Sequence, residues 1–363
     1  MTQKMHPLSE LSLKLESWLQ SWLGVRPHRL PGAARSGARE PAASAGPTYV
    51  DPNPHFEILA LGSRSGIIDG NLSAYMIRPL NRNEAVLCDA GTVGNGLKLA
   101  QASGALDDIP LPPDPDSPLD LAGRVLTETI RAYCISHAHL DHVAGLVLTS
   151  PDDTPKPIYL LPQTRKLIAE NLFNNEIWGN MGNMGARPAL GKYTYRDMTP
   201  GEVQEIPHTS FRLQAWPLSH GNLTSTAFLL DSDGQKLLYL GDTQHDQAGG
   251  EHQLLTLWHH VAPTIRARRL HGLMIETTYP NSQPVTQLRA HLTPRLLLAS
   301  LHQLADICGG ERPLEGLNVI CTHVKETFAR DAHPVETIEK ELNEGNDLGV
   351  HFLMARQGER YLV

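Results

Sequence analysis

Cysteine is scarce: the 363 residues hold four, Cys88, Cys134, Cys308 and Cys321, widely spaced and with no C-x-x-C pair. That excludes a disulfide framework for a chain of this size and a structural zinc site built on four thiolates. Cys88, Cys134 and Cys321 lie inside apolar, strand-like runs, where a thiol serves as a small buried hydrophobe. Reduced thiols and a cytoplasmic setting are therefore expected. Positive charge is also short, with 31 Lys+Arg against 39 Asp+Glu and a formal net charge of −8. Such a balance excludes the broad basic surfaces that grip nucleic acid or anionic membrane. A phosphate-bearing ligand would need local positive charge, from a metal or a few arginines. No stretch reaches the ~18–20 apolar residues of a transmembrane helix, so no membrane span is expected. At 40% apolar and 19% charged residues the composition is that of a globular chain, not a disordered one. Its length allows one large domain or two ordinary ones. What the sequence does hold is histidine, eighteen of them.

Residues 1–48 read as an appendage. Leu8, Leu11, Leu15, Trp18, Leu19 and Trp22 recur at three- and four-residue intervals, the apolar stripe of an amphipathic helix. No basic region precedes an apolar one there, so a cleavable signal peptide is not expected. A membrane-surface helix would carry Lys and Arg on its polar face, whereas Glu10 and Glu16 lie in this segment, which favours docking on the body or on a partner. Arg26 to Pro47 is rich in Pro, Gly, Ala, Ser and Arg and suits a linker.

From residue 49 onward the pattern is that of one domain in which strands and helices alternate. Strands are expected at 56–62, 72–77, 85–89, 132–136, 157–160, 211–216, 226–231, 236–240, 272–276 and 317–321. Helices are expected at 93–102, 163–173, 251–261, 294–306 and 335–344, with a further one from Val143. Insertions fall near 103–127 and 174–210. No period of 20–50 residues is present, which excludes a repeat protein, and an α/β class follows.

Ser136-His137-Ala138-His139-Leu140-Asp141-His142 is the decisive segment. His137 and His139, two apart at a strand end, project to the same side. Three imidazoles and one carboxylate within six residues suit two first-row metal ions in one small cavity. Further donors stand where other strands end: His220, Asp242 and His323. Together they make a set of five His and two Asp.

That set, H-x-H-x-D-H followed by His220, Asp242 and His323, resembles the metallo-β-lactamase superfamily, which implies a four-layer αββα sandwich. Within it, His137 through Pro151 (HAHLDHVAGLVLTSP) resembles the signature of class II 3′,5′-cyclic-nucleotide phosphodiesterases. Leu61–Ser73, Phe173–Gly179, Ile275–Ser282 and Ala290–Pro294 are similar to the same subfamily, and the resemblance spans roughly residues 55–363. It implies that His137, His139 and His220 hold one ion, that Asp141, His142 and His323 hold the second, and that Asp242 bridges them. Asp89 corresponds to an aspartate that orients ligands. Zinc is favoured at both sites by the donor types, with Mn²⁺ or Fe²⁺ as alternatives.

The activity so implied is hydrolysis of 3′,5′-cyclic AMP, and of cyclic GMP, to the nucleoside 5′-monophosphate by a hydroxide shared between the metals. Asp141, His291 and Glu276 are the expected catalytic groups, with His291 protonating the leaving 3′-oxygen and Glu276 orienting it. Asn71, Trp178 and Asn222 are candidate substrate contacts, Trp178 by stacking on the purine. The expected partner is the small cyclic nucleotide rather than nucleic acid, and a homodimer is compatible with the sequence. Two alternatives remain at this level. One is another hydrolase on the same fold, such as a tRNA 3′-processing nuclease or a thioester or lactone hydrolase. The other is a metal-bearing scaffold.

Overall fold

Strand β2 (Phe56–Gly62) is buried along its whole length, and the way it divides its side chains shows how the molecule is layered. Phe56, Ile58 and Ala60 face one apolar cluster, whereas Leu59 and Leu61 face another. A strand with both faces covered has no polar side and so reads as a continuous apolar run. The structure is a computed structural model that describes residues 46–246 and 252–363. Residues 1–45, with the expected N-terminal helix and nearly all of its linker, lie outside the described residues.

Two sheets make the body. In the first, the strand order among the described residues is β1 (Tyr49–Val50), β17 (Arg360–Leu362), β2, β4 (Ala74–Pro79), β5 (Ala85–Cys88), β6 (Ile130–Cys134), β7 (Lys156–Leu160) and β8 (Tyr193–Asp197). In the second it is β16 (His351–Met354), β14 (Asn318–Thr322), β13 (Leu270–Glu276), β12 (Gln235–Leu240), β11 (Leu223–Ser232), β10 (Phe211–His220) and β9 (Gln204–Glu205). A two-residue ladder joins β3 (Arg64–Ser65) to β15 (Val324–Lys325).

Three apolar clusters fix four layers. The middle one joins Ile58, Tyr75, Val86 and Cys134 of the first sheet to Leu213, Phe228, Tyr239 and Met274 of the second. The outer face of the first sheet packs on α1 (Gly94–Ala102), α3 (Leu140–Thr149) and α4 (Pro162–Asn171) through Leu97, Val143, Leu146 and Ile168. On the far side α5 (Gln253–Arg266), α6 (Pro294–Cys308) and α7 (Pro334–Glu344) cover the second sheet through Trp258, Leu301 and Ile338. This is the expected αββα sandwich. All four cysteines are buried and unpaired, and no helix among the described residues is long and apolar enough to cross a membrane.

The structure departs from the expected elements in several places, among them the short strands β1, β3, β15, β16 and β17, which the sequence pattern does not predict. The stretch 103–127 is not all loop: it holds the short helix α2 (Leu121–Arg124), which Asp120 caps by accepting the Gly123 N–H at 3.1 Å, and then runs into a π turn at Val125–Thr129. The stretch 174–210 contains β8 and β9, which complete the edges of both sheets. The helix expected from Val143 begins at Leu140, and this shift places two metal-ligand candidates on its first turn.

Candidate metal centre

Each donor is set by the end of an element. After β6 the chain stays extended through Ser136 to His139, so His137 and His139 emerge together, with His137 Nε2 2.9 Å from His139 Nδ1. Asp141 and His142 follow on the first turn of α3, where the unpaired amide dipoles favour a carboxylate. His220 ends β10 at a two-residue turn to β11, with Gly221 at φ +58°, as a type II′ turn requires at its first central position. Asp242 leaves β12 through Gly241, where any Cβ would collide with Ser136 Cβ and Ser225 Oγ. His323 leaves β14 in a left-handed conformation, φ +58°.

These chain ends meet at one edge of the sandwich. Donor atoms of His137, His139, His220 and Asp242 lie within 4.8 Å of one another, as do those of Asp141, His142 and His323. Asp242 Oδ2 stands between the two groups. It is 3.7 Å from His137 Nε2 and from His220 Nε2, 3.4 Å from His142 Nε2 and 3.3 Å from His323 Nε2.

The surrounding hydrogen bonds decide which ring nitrogens are bare. Asp89 Oδ2 accepts from His142 Nδ1 at 2.7 Å, from Ser136 Oγ at 2.7 Å and from Tyr239 Oη at 2.5 Å, while its Oδ1 accepts the Ser136 amide at 2.7 Å. Because Ser136 Oγ gives its proton to Asp89, it accepts from His137 Nδ1 at 3.0 Å. His220 Nδ1 donates to the Ala290 carbonyl at 3.1 Å. Thr278 Oγ1 donates to Glu276 Oε2 at 2.5 Å and so accepts from His323 Nδ1 at 3.1 Å.

His137, His142, His220 and His323 thus carry their proton on the outer nitrogen and turn a lone pair inward. His142 Nε2 and His323 Nε2 face each other at 3.1 Å. Nitrogens at that distance need a proton or a metal ion between them, and the convergence of bare imidazole and carboxylate donors fits divalent metal ions. Burial pushes the His137, His139 and His220 imidazoles below the usual range, which keeps them neutral and able to ligate. At His142 burial opposes the charged form, but Asp242 and Asp89 outweigh it and raise its pKa. In the ion-free chain a proton there compensates the two carboxylates, and a metal would displace it. Burial likewise opposes ionisation of Asp141 and Asp242, yet the facing imidazoles hold both carboxyls well below their usual range.

The remaining sequence candidates are placed as follows. His291 packs on His220 and His323, with ring centroids at 4.9 and 5.2 Å, and its Nδ1 lies 2.7 Å from Glu276 Oε1. Glu276 is fully buried and also accepts the amides of Thr243 and Leu292. One carboxylate therefore ties His291 to the loop that carries Asp242. Burial lowers the His291 pKa, but Glu276 and then Asp242 outweigh it and lift the value to about 9.

Asn222 lines a cleft of about 480 Å³ beside the donors, a volume within the range of small-molecule sites. Asn71 and Trp178 are not brought to that cleft. Asn71 accepts the Ser63 amide and so fastens the loop whose Ser63 carbonyl receives the His323 N–H. Trp178 spends its indole N–H on Ser150 Oγ and packs against the helical side of the first sheet, which leaves no stacking face beside the cleft. Sequence reasoning missed Gln244 and Arg289, which line the cleft with Asn222 and Ala290, opposite His139 and His220. Each stands two residues from a residue already singled out, Asp242 or His291, and proximity along the chain was the available signal.

A family profile described as cAMP phosphodiesterases class-II matches residues 118–358. The 3′,5′-cyclic-nucleotide phosphodiesterase of Aliivibrio fischeri is 41% identical over 305 residues, which cover 84% of this chain and 92% of the relative. The crystal structure of unliganded yeast PDE1 superposes with a TM-score of 0.75 at 24% identity, covering 86% of this chain and all of that one. The metallo-β-lactamase fold protein YhfI of Bacillus subtilis superposes with a TM-score of 0.53 at 13% identity, covering 85% and 99% of the two chains.

Proposed function

The chain belongs to the class-II cAMP phosphodiesterases, and we propose that it hydrolyses 3′,5′-cyclic AMP, and cyclic GMP alongside it, to the nucleoside 5′-monophosphate at the centre described above. The observation that carries this reading is the meeting of six donor side chains around Asp242, with the Glu276–His291 pair packed beside them and a cleft that His139 and His220 line. His137, His139 and His220 would hold one divalent ion and Asp141, His142 and His323 the other, with Asp242 shared. Zinc suits these donors best, with Mn²⁺ or Fe²⁺ able to replace it. When bound, such a pair supplies Lewis acidity that brings the pKa of water down towards 7 and offsets charge on the phosphoryl oxygens.

The residues of the chain do the rest. Asp89, Ser136, Ala290 and Thr278 hold the imidazoles in the tautomer that ligates. Glu276 accepts from His291 Nδ1, fixes the ring, and keeps a proton on it near neutral pH. As water loses one proton to solvent and adds to phosphorus, the P–O3′ bond breaks and His291 gives its other N–H to the departing 3′-oxygen, to be reprotonated from solvent. The ring opens and the phosphate stays on O5′. Asn222, at the turn beside His220, faces the bound substrate.

A long RNA backbone would call for clustered cations, whereas one arginine stands among the cleft-lining residues, so the nuclease alternative gains no support. We place the enzyme in the cytoplasm, in keeping with its unpaired buried thiols. A homodimer, and docking of the amphipathic helix expected within residues 1–48 on the body or a partner, belong to the same reading. Chromatography of the product tests it: cyclic AMP should yield 5′-AMP, chelation should stop the reaction and zinc should restore it. A 3′-AMP product, or cyclic AMP that survives prolonged incubation with zinc, would overturn it.

A further inference from the structure

We propose that Arg289 grips the anionic phosphodiester at the mouth of the cleft and so sets the preference for a charged substrate; this rests on the function proposed above. Among the cleft-lining residues Arg289 is the one with a fixed positive charge, since Asn222 and Gln244 are neutral and His139 and His220 face the metal donors. Gln244 is already engaged, because its Oε1 accepts the Gly221 amide at 3.2 Å.

Arg289 is exposed, and among the described residues no acid forms an ion pair with it, in a chain whose acids outnumber its bases by 39 to 31. Arg64, Arg78, Arg212 and Arg360 each have a carboxylate partner. Burial pushes the nearby Tyr279 phenol up, and the Arg289 charge offsets this only in part. The backbone beneath it is fixed. Arg289 and Ala290 are both left-handed, at φ +50° and +66°, Leu288 is buried, and the His291 amide returns to the Leu288 carbonyl at 3.1 Å. The next carbonyl along, that of Ala290, orients His220. The backbone that carries the guanidinium is thereby fixed at the cleft that His139 and His220 also line, and among the described residues no carboxylate pairs with it. A guanidinium fork matches two oxygens of a phosphate better than an ammonium does.

Contact with an anion that keeps its charge from ground state to transition state is uniform binding, which appears in KM and not in kcat. The test uses zinc-loaded full-length protein as wild type, Arg289→Ala and Arg289→Lys, with kinetics on cyclic AMP at low and high salt and calorimetry with inorganic phosphate. Arg289→Ala should raise KM about ten- to a hundredfold, the range for a lost hydrogen bond to a charged group, and leave kcat in place. Arg289→Lys should recover part of that loss, the salt dependence of KM should flatten in the alanine variant, and phosphate should bind it more weakly. Wild-type KM with undiminished phosphate binding in Arg289→Ala would overturn the inference, as would a fall in kcat at unchanged KM. Phosphate binding is read without turnover, so a wild type that ignores cyclic AMP would overturn the proposed function separately.

Discussion

Asp89→Asn is the substitution that most sharply separates a metal centre from a mere cluster of histidines. It changes one atom in a fully buried side chain and leaves volume and shape intact. The Oδ1 that receives the Ser136 amide at 2.7 Å can stay as it is. The other oxygen becomes an NH₂ group and faces three donors: Ser136 Oγ, Tyr239 Oη and His142 Nδ1. Of its two hydrogens one can go to a hydroxyl, which rotates to accept it, and the other faces His142. His142 can accept only by moving its proton to Nε2, the atom that faces His323 Nε2 at 3.1 Å and that a metal needs bare. The substitution therefore selects the tautomer that cannot ligate, and it also removes the charge that favours a cation. Loss of such an outer partner weakens metal binding by about 10–100-fold, or roughly 1.4–2.8 kcal/mol. Competition with a zinc-sensitive chelator dye reads the affinity directly, and circular dichroism checks that the fold persists. If Asp89→Asn keeps wild-type zinc affinity while folded, Asp89 does not set the tautomer of His142 and the deduction of inward lone pairs is wrong.

Two further substitutions probe other links. His291→Ala removes the proton donor held by Glu276 and should lower kcat for cyclic AMP by about 10²–10⁴-fold with little change in KM, measured under saturating zinc; a rise in KM alone would make it a binding residue instead. Gly241→Ala puts a methyl group against Ser136 and Ser225 in a packed interior, and the strain should cost about 1–3 kcal/mol, read as a lower Tm with chelator present; an unchanged Tm would mean the two loops have slack.

The donor set was legible in the sequence because its information is local. Four donors sit within six residues after a strand, and His220, Asp242 and His323 each follow an apolar run long enough to read as a buried strand. Both faces of strands such as β2 and β12 are covered, so neither period nor polarity hides them. The same logic explains what was missed. β8 is Tyr-Thr-Tyr-Arg-Asp at a sheet edge, where polar residues alternate with aromatics and only Tyr193 and Tyr195 are buried. β17 has three residues and is defined by its partners β1 and β2 more than by its own composition. The start of α3 at Leu140 lies in a segment whose histidines disguise the helix, because neither imidazole follows an apolar period. Arg289 and Gln244 carry no pattern at all. Their place in the cleft depends on how the β10–β11 turn and the loops after β12 and β13 come together, which sequence spacing does not encode. Trp178 shows the converse: a residue type suited to a purine is used to hold the end of α3 in place through Ser150.

Turnover followed while metal is returned to stripped protein tests the central claim most directly. Zinc added stepwise to chelator-treated chain, with 5′-AMP formation assayed at each step, should give activity that rises to a plateau at about two equivalents per chain, in keeping with a two-metal clamp. Full activity in metal-free protein, or a plateau that Asp242→Ala reaches with the same two equivalents, would contradict a paired-cation centre built around Asp242.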